Sequence, residues 1–290
     1  MELLRTVDAM HAEALEARCR GDRLALVPTM GALHEGHLAL VREARERAEH
    51  VTVSIFVNPT QFGPDEDYES YPRTLNRDME RLEEEIDGGV EAIFAPTSEE
   101  MYPAEERPPV WVEVDELTEH LCGAYRPDHF RGVTTIVTKL LLACRPDLAV
   151  FGRKDAQQLV IIERLVEAMP FGVEVVGVPT VREEDGLARS SRNKYLSDRQ
   201  RDQATVLSEA VFRAEERIRE GEQRVGPIVE DMARIIGAAE EAELEYVELV
   251  DARSLHPIER IEPGQDVLAA VAVYFGDARL IDNAFVTAPN

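Results

Sequence analysis

Apolar residues fall into two alternating textures along the first 180 positions. Short continuous runs, LALVP (24–28), VTVSIFV (51–57), VEAIFAP (90–96), LAVFG (148–152) and VEVVGVPT (173–180), are separated by longer stretches that mix charged and apolar positions. In those stretches, at 36–47, around 73–87, 132–144 and 155–169, apolar residues recur every three or four positions, which predicts helices. Leu38 and Val41, with Ala44 or Ala48, share one face of the first. Runs that are apolar at every position suit strands buried on both faces, as in a parallel sheet covered by helices. The pattern predicts an α/β fold, a Rossmann-like doubly wound parallel sheet whose ligands sit at the carboxyl ends of the strands.

After VREEDGLARSSRNKYLS (181–197) the texture changes to two charged helical stretches, 197–220 and 227–241. LEYVELVDA, DVLAAVAVYFG and ARLIDNAFV then read as short strands of a smaller C-terminal α+β domain. The predicted boundary lies near Val181, with residues 1–180 as the first domain and 181–290, carrying the SSRN loop, as the second.

Composition narrows the class. A chain of 290 residues has room for one large and one smaller core. No run approaches the roughly 18 apolar residues of a membrane span, and MELLRTVDAM has neither a basic region nor an apolar core of an export signal. A cytoplasmic protein without a membrane partner is expected. Cys19, Cys122 and Cys144 are too scattered for a disulfide framework, which suits reduced thiols. The net charge of −25 comes from 57 acidic against 32 basic residues, and only Lys139, Lys154 and Lys194 are lysines. Such a surface repels nucleic acid and resembles that of salt-adapted proteins. The runs at 83–87 (EEEID) and 240–245 (EEAELE) are expected on solvated faces of helices and helix ends.

Candidate chemistry concentrates in residues 24–38, LALVPTMGALHEGHL. A strand passes through a turn into a helix whose first residues include His34 and His37. Unpaired N–H groups and the positive dipole end at a helix N-terminus favour phosphate, and the imidazoles add side-chain donors. Taken alone, the pair could also ligate a metal or simply cap an exposed helix. Four further segments fall at strand ends or helix starts: FVNPTQFGP (56–64), RPDHFRGV (126–133), FGRKDAQQL (151–159) and GLARSSRNKYL (186–196).

Together these five segments closely resemble the pantothenate synthetase family, the pantoate–β-alanine ligases of coenzyme A biosynthesis. The resemblance covers residues 20–200. HEGH is similar to the HxGH signature of class I aminoacyl-tRNA synthetases and nucleotidylyltransferases, and RSSRN stands in the place of their mobile phosphate-binding loop. The resemblance implies a two-step reaction: the pantoate carboxylate attacks the α-phosphate of ATP, pyrophosphate leaves, and the β-alanine amine then displaces AMP from pantoyl adenylate. It implies ATP and Mg²⁺ as requirements, a homodimer, and unidentified metal ligands. By the same resemblance Met30, Gly31, Ala32, Leu33, His34, Glu35, Gly36 and His37 line the ATP site. Gly152, Arg153, Lys154, Asp155, Val181, Arg189, Ser190, Ser191 and Arg192 complete it. His37, His34, Lys154 and Arg192 fall in catalytic positions, Gln61 and Gln158 hold pantoate, and Asn58 with Gln61 contacts β-alanine. His129 and Arg131 lie in a segment near the substrates.

Three positions depart from the commoner pattern of that family. Arg153 replaces a glutamate, Arg189 replaces a methionine or leucine and adds positive charge beside the phosphate loop, and Asp128 replaces a glycine before His129. Two other readings remain open: another nucleotidylyltransferase on the same fold, or a catalytically silent nucleotide-binding protein. Gln61 and Gln158 argue against the first; His37, Lys154 and the SSR run argue against the second. Length, acidity and the lack of an anticodon-binding appendage disfavour a tRNA synthetase.

Overall fold

The computed structural model describes residues 1–64, 66–103 and 110–290. Six strands form a parallel sheet: β1 (Glu2–Leu4), β2 (Leu24–Thr29), β3 (His50–Ile55), β4 (Ala92–Phe94), β5 (Leu148–Gly152) and β6 (Glu174–Val178). Their order is β1-β4-β3-β2-β5-β6, so the chain winds outward from β2 in one direction and from β5 in the other. The switch point lies between β2 and β5, where Ala25 pairs with Leu148 and Leu26 with Ala149. In open α/β sheets that crevice, outside the carboxyl ends, is where ligands bind.

The helices are α1 (Val7–Arg20), α2 (Glu35–Arg47), α3 (Leu75–Glu85), α4 (Ser98–Met101), α5 (Cys122–Tyr125), α6 (His129–Cys144), α7 (Ala156–Ala168), α8 (Asp198–Gln203), α9 (Val206–Arg219) and α10 (Val225–Ile236). By clustering in space the chain forms two compact units. One comprises Met1–Asp115, Arg126–Arg153 and Ile161–Pro179; the other comprises Glu116–Tyr125, Lys154–Val160 and Thr180–Asn290. Two short pieces of the first 180 residues thus cluster with the C-terminal part.

In the first unit alternate strand residues serve opposite faces of the sheet. Val27, Val53, Ile93 and Val150 meet Leu38, Val41 and Ala44 of α2 and Leu82 of α3. On the opposite face α1 and α6 pack against β2 and each other. Coverage on both faces is what the unbroken apolar runs required, and the fold is the doubly wound α/β sheet expected. The first two elements had no sequence expectation. β1 is only three residues on an edge, and α1 buries the thin stripe Met10, Ala14 and Ala17.

The second unit contains an antiparallel sheet, β7 (Ala242–Asp251), β8 (Asp266–Phe275) and β9 (Ala278–Thr287). Val211, Ala214 and Ile218 of α9 and Ile228 and Met232 of α10 share its core with Val267, Ala269, Val271 and Val273 of β8. This is the small α+β part expected, with local corrections. The stretch 197–220 divides into α8 and α9, and the next helix ends at Ile236 rather than 241. Within EEAELE the strand already begins at Ala242, and Glu245 is largely buried, its carboxylate 3.0 Å from Arg279 Nε.

A buried ion pair ties β9 to the hairpin at 181–189. Arg182 reaches Asp282 through both terminal nitrogens, at 2.6 and 2.9 Å, and its guanidinium lies 4.6 Å from the Phe212 ring centroid. The Asp282 side chain is 1% exposed. Removing one member leaves the other charged and buried, so Asp282→Ala is expected to cost about 3–5 kcal/mol. Arg182→Met combined with Asp282→Leu is expected to cost less than that single change in urea unfolding. A double variant as unstable as Asp282→Ala would show that uncompensated charge is not the cause.

Candidate active site

The turn from β2 into α2 is shaped by residues that leave no spare volume. Gly31 has φ +80°, and a Cβ there would lie 3.0 Å from both Asp78 Oδ2 and Ile55 Cγ2. Ala32 follows with φ +49°, in the left-handed region that side chains disfavour. The Ala32 and Leu33 amides donate to the two oxygens of Asp78, at 3.0 and 2.8 Å. Thr74 Oγ1 donates to the same carboxylate at 3.2 Å, and Arg81 Nη1 donates to the Leu33 carbonyl at 2.6 Å. Burial pushes the Asp78 carboxyl above its ordinary range, against the opposing pull of the Leu33 and Ala32 amides.

His34 caps α2. Its Nδ1 accepts from Gly36 N at 3.2 Å, while His37 Nδ1 accepts from His34 N at 3.3 Å, a reciprocal capping box made of two imidazoles. The ring centroids are 4.0 Å apart. Gly36 is required for this packing, since a Cβ would come within 2.9 Å of His34 Cε1. With both Nδ1 atoms accepting from N–H groups, each neutral ring carries its proton on Nε2. The helix start therefore presents two imidazole donors and a positive dipole end at the carboxyl edge of β2. Glu35, between them, pairs with Arg42.

Beyond β3, Asn58 caps a single 3₁₀ turn, Pro59–Gln61, and is 1% exposed. Its Nδ2 donates to Gln61 Oε1 at 3.0 Å and to the Gly132 carbonyl at 3.2 Å. Its Oδ1 accepts from Tyr102 OH at 2.8 Å and Thr60 Oγ1 at 2.9 Å. Burial drives the Tyr102 hydroxyl up to about 12, so it stays a proton donor, although its contact with Thr60 works the other way. Gln61 Nε2 points to Met30 Sδ at 3.2 Å, joining this turn to the one after β2. Gly132 lets α6 approach, because a Cβ there would sit 2.2 Å from the Thr60 carbonyl oxygen.

The Gln61 backbone is held from the other side. His129 Nδ1 lies 2.7 Å from the Gln61 carbonyl and must donate to it, which leaves Nε2 to accept from Arg126 Nη1 at 3.2 Å. Arg126 in turn pairs with Glu66, Nε to Oε1 at 2.7 Å. Arg131 stacks over Trp111 at 4.7 Å and pairs with Asp128 at 2.9 Å. Asp128 has φ +66°, a conformation in which glycine is at ease and aspartate is among the better-tolerated side chains. That explains how Asp128 stands in for glycine there.

Gly152 ends β5, next to β2 in the sheet, and Arg153 follows it; both belong to the first unit. Lys154, Asp155, Gln158, Val181 and 189–192 belong to the second. Lys154 is tethered by its carbonyl, which accepts from Asn283 Nδ2 at 2.8 Å, and its ammonium has no ion-pair partner among the described residues. The first turn of α7 carries two adjacent carboxamides with different fates. Gln157 is buried and donates to the Leu117 and His120 carbonyls at 2.9 and 2.8 Å, whereas the Gln158 carboxamide has no hydrogen-bond partner among the described residues. Val181 O accepts from Arg189 N at 2.9 Å, and Ser190 Oγ accepts from Arg192 N at 3.2 Å, opening the 3₁₀ segment Ser191–Tyr195. Arg189 is paired with Glu183 at 2.9 Å, so much of the charge it brings is compensated locally.

Sequence reading missed Asp78, Arg81, Glu66, Tyr102 and the part played by Arg126. Only the spacing of Asp78 and Arg81 on one helical face carried any signal, and that pattern is common on amphipathic helices.

The family model for Pantoate-beta-alanine ligase matches residues 2–285. Pantothenate synthetase of Salinibacter ruber is 62% identical over 294 residues, covering 100% of this chain and 99% of that protein. The crystal structure of pantothenate synthetase from Thermus thermophilus superposes with a TM-score of 0.89 at 44% identity, covering 98% and 99% of the two chains. That of pantoate-beta-alanine ligase from Francisella tularensis, complexed with beta-gamma ATP and beta-alanine, gives 0.79 at 30% identity, covering 98% and 97%.

The Glu66–Arg126 pair has a pH signature. Burial alone would raise the Glu66 carboxyl; the Arg126 guanidinium and the Gly63 amide outweigh it and hold it below 4.5. A carboxylate with a lowered native pKa stabilises the fold above its unfolded value and loses that contribution as pH falls through the native one. Glu66→Gln is therefore expected to lower Tm at pH 7 and to flatten its decline below pH 4.5, the ordinary value. Thermal melts of both proteins from neutral to acid check this, and parallel acid limbs would exclude it.

Proposed function

This chain belongs to the pantoate–β-alanine ligase family and is an enzyme forming pantothenate from pantoate and β-alanine, and we propose that it does so through ATP-dependent adenylation. The observation that supports this best is the paired His34–His37 cap on α2, with rings 4.0 Å apart at the carboxyl edge of the sheet. Charge grows on the α-phosphate as the pantoate carboxylate attacks, and on pyrophosphate as it leaves. Fixed donors aimed at those oxygens lower the barrier because they need no reorganisation during reaction. His37 and His34 are the proposed imidazole donors, and Lys154 and Arg192 the proposed cationic groups. In the second step the β-alanine amine attacks the acyl carbon of pantoyl adenylate, and AMP leaves with the P–O bond intact.

Gln61 and Gln158 are the proposed pantoate ligands. Neutral carboxamides match hydroxyls and a carboxylate without opposing the phosphates, and the Gln158 carboxamide already lacks a partner among the described residues. Asn58 contributes to the β-alanine site with Gln61. Since its own amide is engaged on both sides, its proposed effect is to aim Gln61. Residues 30–37, Gly152, Arg153, Asp155, Val181, Arg189, Ser190 and Ser191 complete the proposed ATP site. Mg²⁺ enters with ATP as part of the substrate; among the described residues no group of three His, Cys, Asp or Glu side chains could hold it alone. A cytoplasmic homodimer fits the family resemblance and three free thiols, two of them buried. Among the described residues no helix is long and apolar enough to cross a membrane.

Incubation with ATP, Mg²⁺ and pantoate alone is expected to support pantoate-dependent exchange of labelled pyrophosphate into ATP, and addition of β-alanine to release AMP. Formation of ADP and phosphate instead would exclude adenylation. His37→Ala and Lys154→Ala are each expected to slow adenylate formation about a hundredfold in rapid-quench measurements, the loss typical of one transition-state donor. Unchanged rates would remove them from the chemistry.

The acidic surface is proposed to be salt-adapted. A net charge of −25 repels itself, and the Debye length shrinks from about 10 Å at 0.1 M to about 3 Å at 1 M salt. Tm is expected to rise from low salt to molar KCl. Activity should peak earlier, because screening also weakens attraction between ATP and Lys154 or Arg192. A flat or falling Tm over that range would refute salt adaptation.

A further inference from the structure

We propose that Asp78 is a positioning residue for the reaction, fixing the β2–α2 turn that aims His34 and His37. It lies on α3, 41 positions after His37, and is 1% exposed. A buried carboxylate needs partners for both oxygens. Asp78 finds three donors, two of them the consecutive amides of Ala32 and Leu33, and the third Thr74 Oγ1 from its own helix start. Arg81, one turn along α3, takes the Leu33 carbonyl. Leu33, the residue before His34, is thus held at its N–H by Asp78 and at its carbonyl by Arg81, two side chains of one helix.

The backbone held there is one that relaxes if released. Ala32 sits at φ +49° and donates to the Asp78 carboxylate, next to Gly31 at φ +80°, where a Cβ would meet the same carboxylate at 3.0 Å. Asp78 also satisfies two amides that would otherwise form a small anion-binding concavity just before the helix. Their occupation directs an incoming phosphate to the imidazoles and the helix start. The position of His34 follows from the turn, and that of His37 from the cap His34 makes. Displacement of such groups by about 1 Å is enough to cost up to a hundredfold in rate. This inference rests on the proposed reading of the turn as the ATP-contacting segment.

Asp78→Asn keeps the volume but turns one acceptor into a donor facing a backbone N–H. Arg81→Met removes the contact to the Leu33 carbonyl from a side chain that is 24% exposed, so it remains informative should Asp78→Asn fail to fold. Both are compared with wild type and His37→Ala by amide hydrogen exchange across 31–36 and by pantoate-dependent pyrophosphate exchange. The expected result is faster amide exchange confined to the turn and a pyrophosphate-exchange rate lowered about tenfold to a hundredfold in Asp78→Asn, and less in Arg81→Met. The KM for β-alanine should hold, and the effects of Asp78→Asn and His37→Ala should combine to less than their product. A purely structural role would lower Tm without changing the kinetic constants of the folded fraction. Unchanged amide exchange in both variants, or loosened exchange with full activity while His37→Ala is impaired, overturns the proposal. Loosened exchange with full activity in all three variants overturns instead the reading of the turn as ATP-contacting.

Discussion

Backbone N–H groups removed from water must find acceptors, and past the last residue of a strand the ladder no longer pairs them. The turn between β2 and α2 meets that constraint with side chains. Asp78 accepts from Ala32 and Leu33, and the two imidazoles accept from Gly36 and His34. Each such group left unpaired would cost about 1–3 kcal/mol, comparable to the roughly 1–2 kcal/mol of a left-handed alanine, so the hydrogen bonds can hold a conformation that local preference opposes. Hydrogen-bonding necessity and side-chain placement coincide here, because the imidazoles that satisfy the backbone are themselves oriented by it.

The turn after β3 uses the same logic with uncharged groups. Asn58, Thr60, Tyr102, Gln61 and the Gly132 carbonyl form a connected set in which both ends of the buried Asn58 amide are engaged. Such a network rigidifies only when its members are satisfied, since a half-paired amide in a low-dielectric interior is worse than an apolar one. The contact of Gln61 Nε2 with Met30 Sδ connects this turn to the β2 turn. The glycines at 31, 36 and 132 matter because something else occupies the space of their missing side chains.

Charge is arranged against the background of an acidic chain. Arg126, Arg131 and Arg189 each have a carboxylate partner, Glu66, Asp128 and Glu183 respectively. Paired arginines contribute shape and hydrogen bonds more than net potential. The Lys154 ammonium has no such partner among the described residues. Two departures from the commoner family pattern thus find local explanations: Arg189 is matched by Glu183, and Asp128 occupies a left-handed position while pairing with Arg131.

The sequence by itself determined the layered α/β class, because unbroken apolar runs such as LAVFG leave a strand no solvent-facing side. It also exposed the residues whose chemistry is local to a motif: two histidines at a helix start, a lysine and glutamine around the next strand's end, a serine-rich loop. Tertiary structure decided what holds them. Asp78 lies on another helix, Arg126 and His129 reach back to a turn 60 residues and more away, and Asp282 closes a pair 100 positions from Arg182. No periodicity marks such contacts, because a buried carboxylate on an amphipathic helix looks like a solvated one until the neighbouring loop folds over it. The helix that begins at Val225 stops at Ile236, immediately before the poor helix former Gly237, and the break at 204–205 falls at Ala204-Thr205; the helix-favouring Ala238, Ala239, Glu240 and Glu241 beyond the glycine made the stretch read as helix to 241.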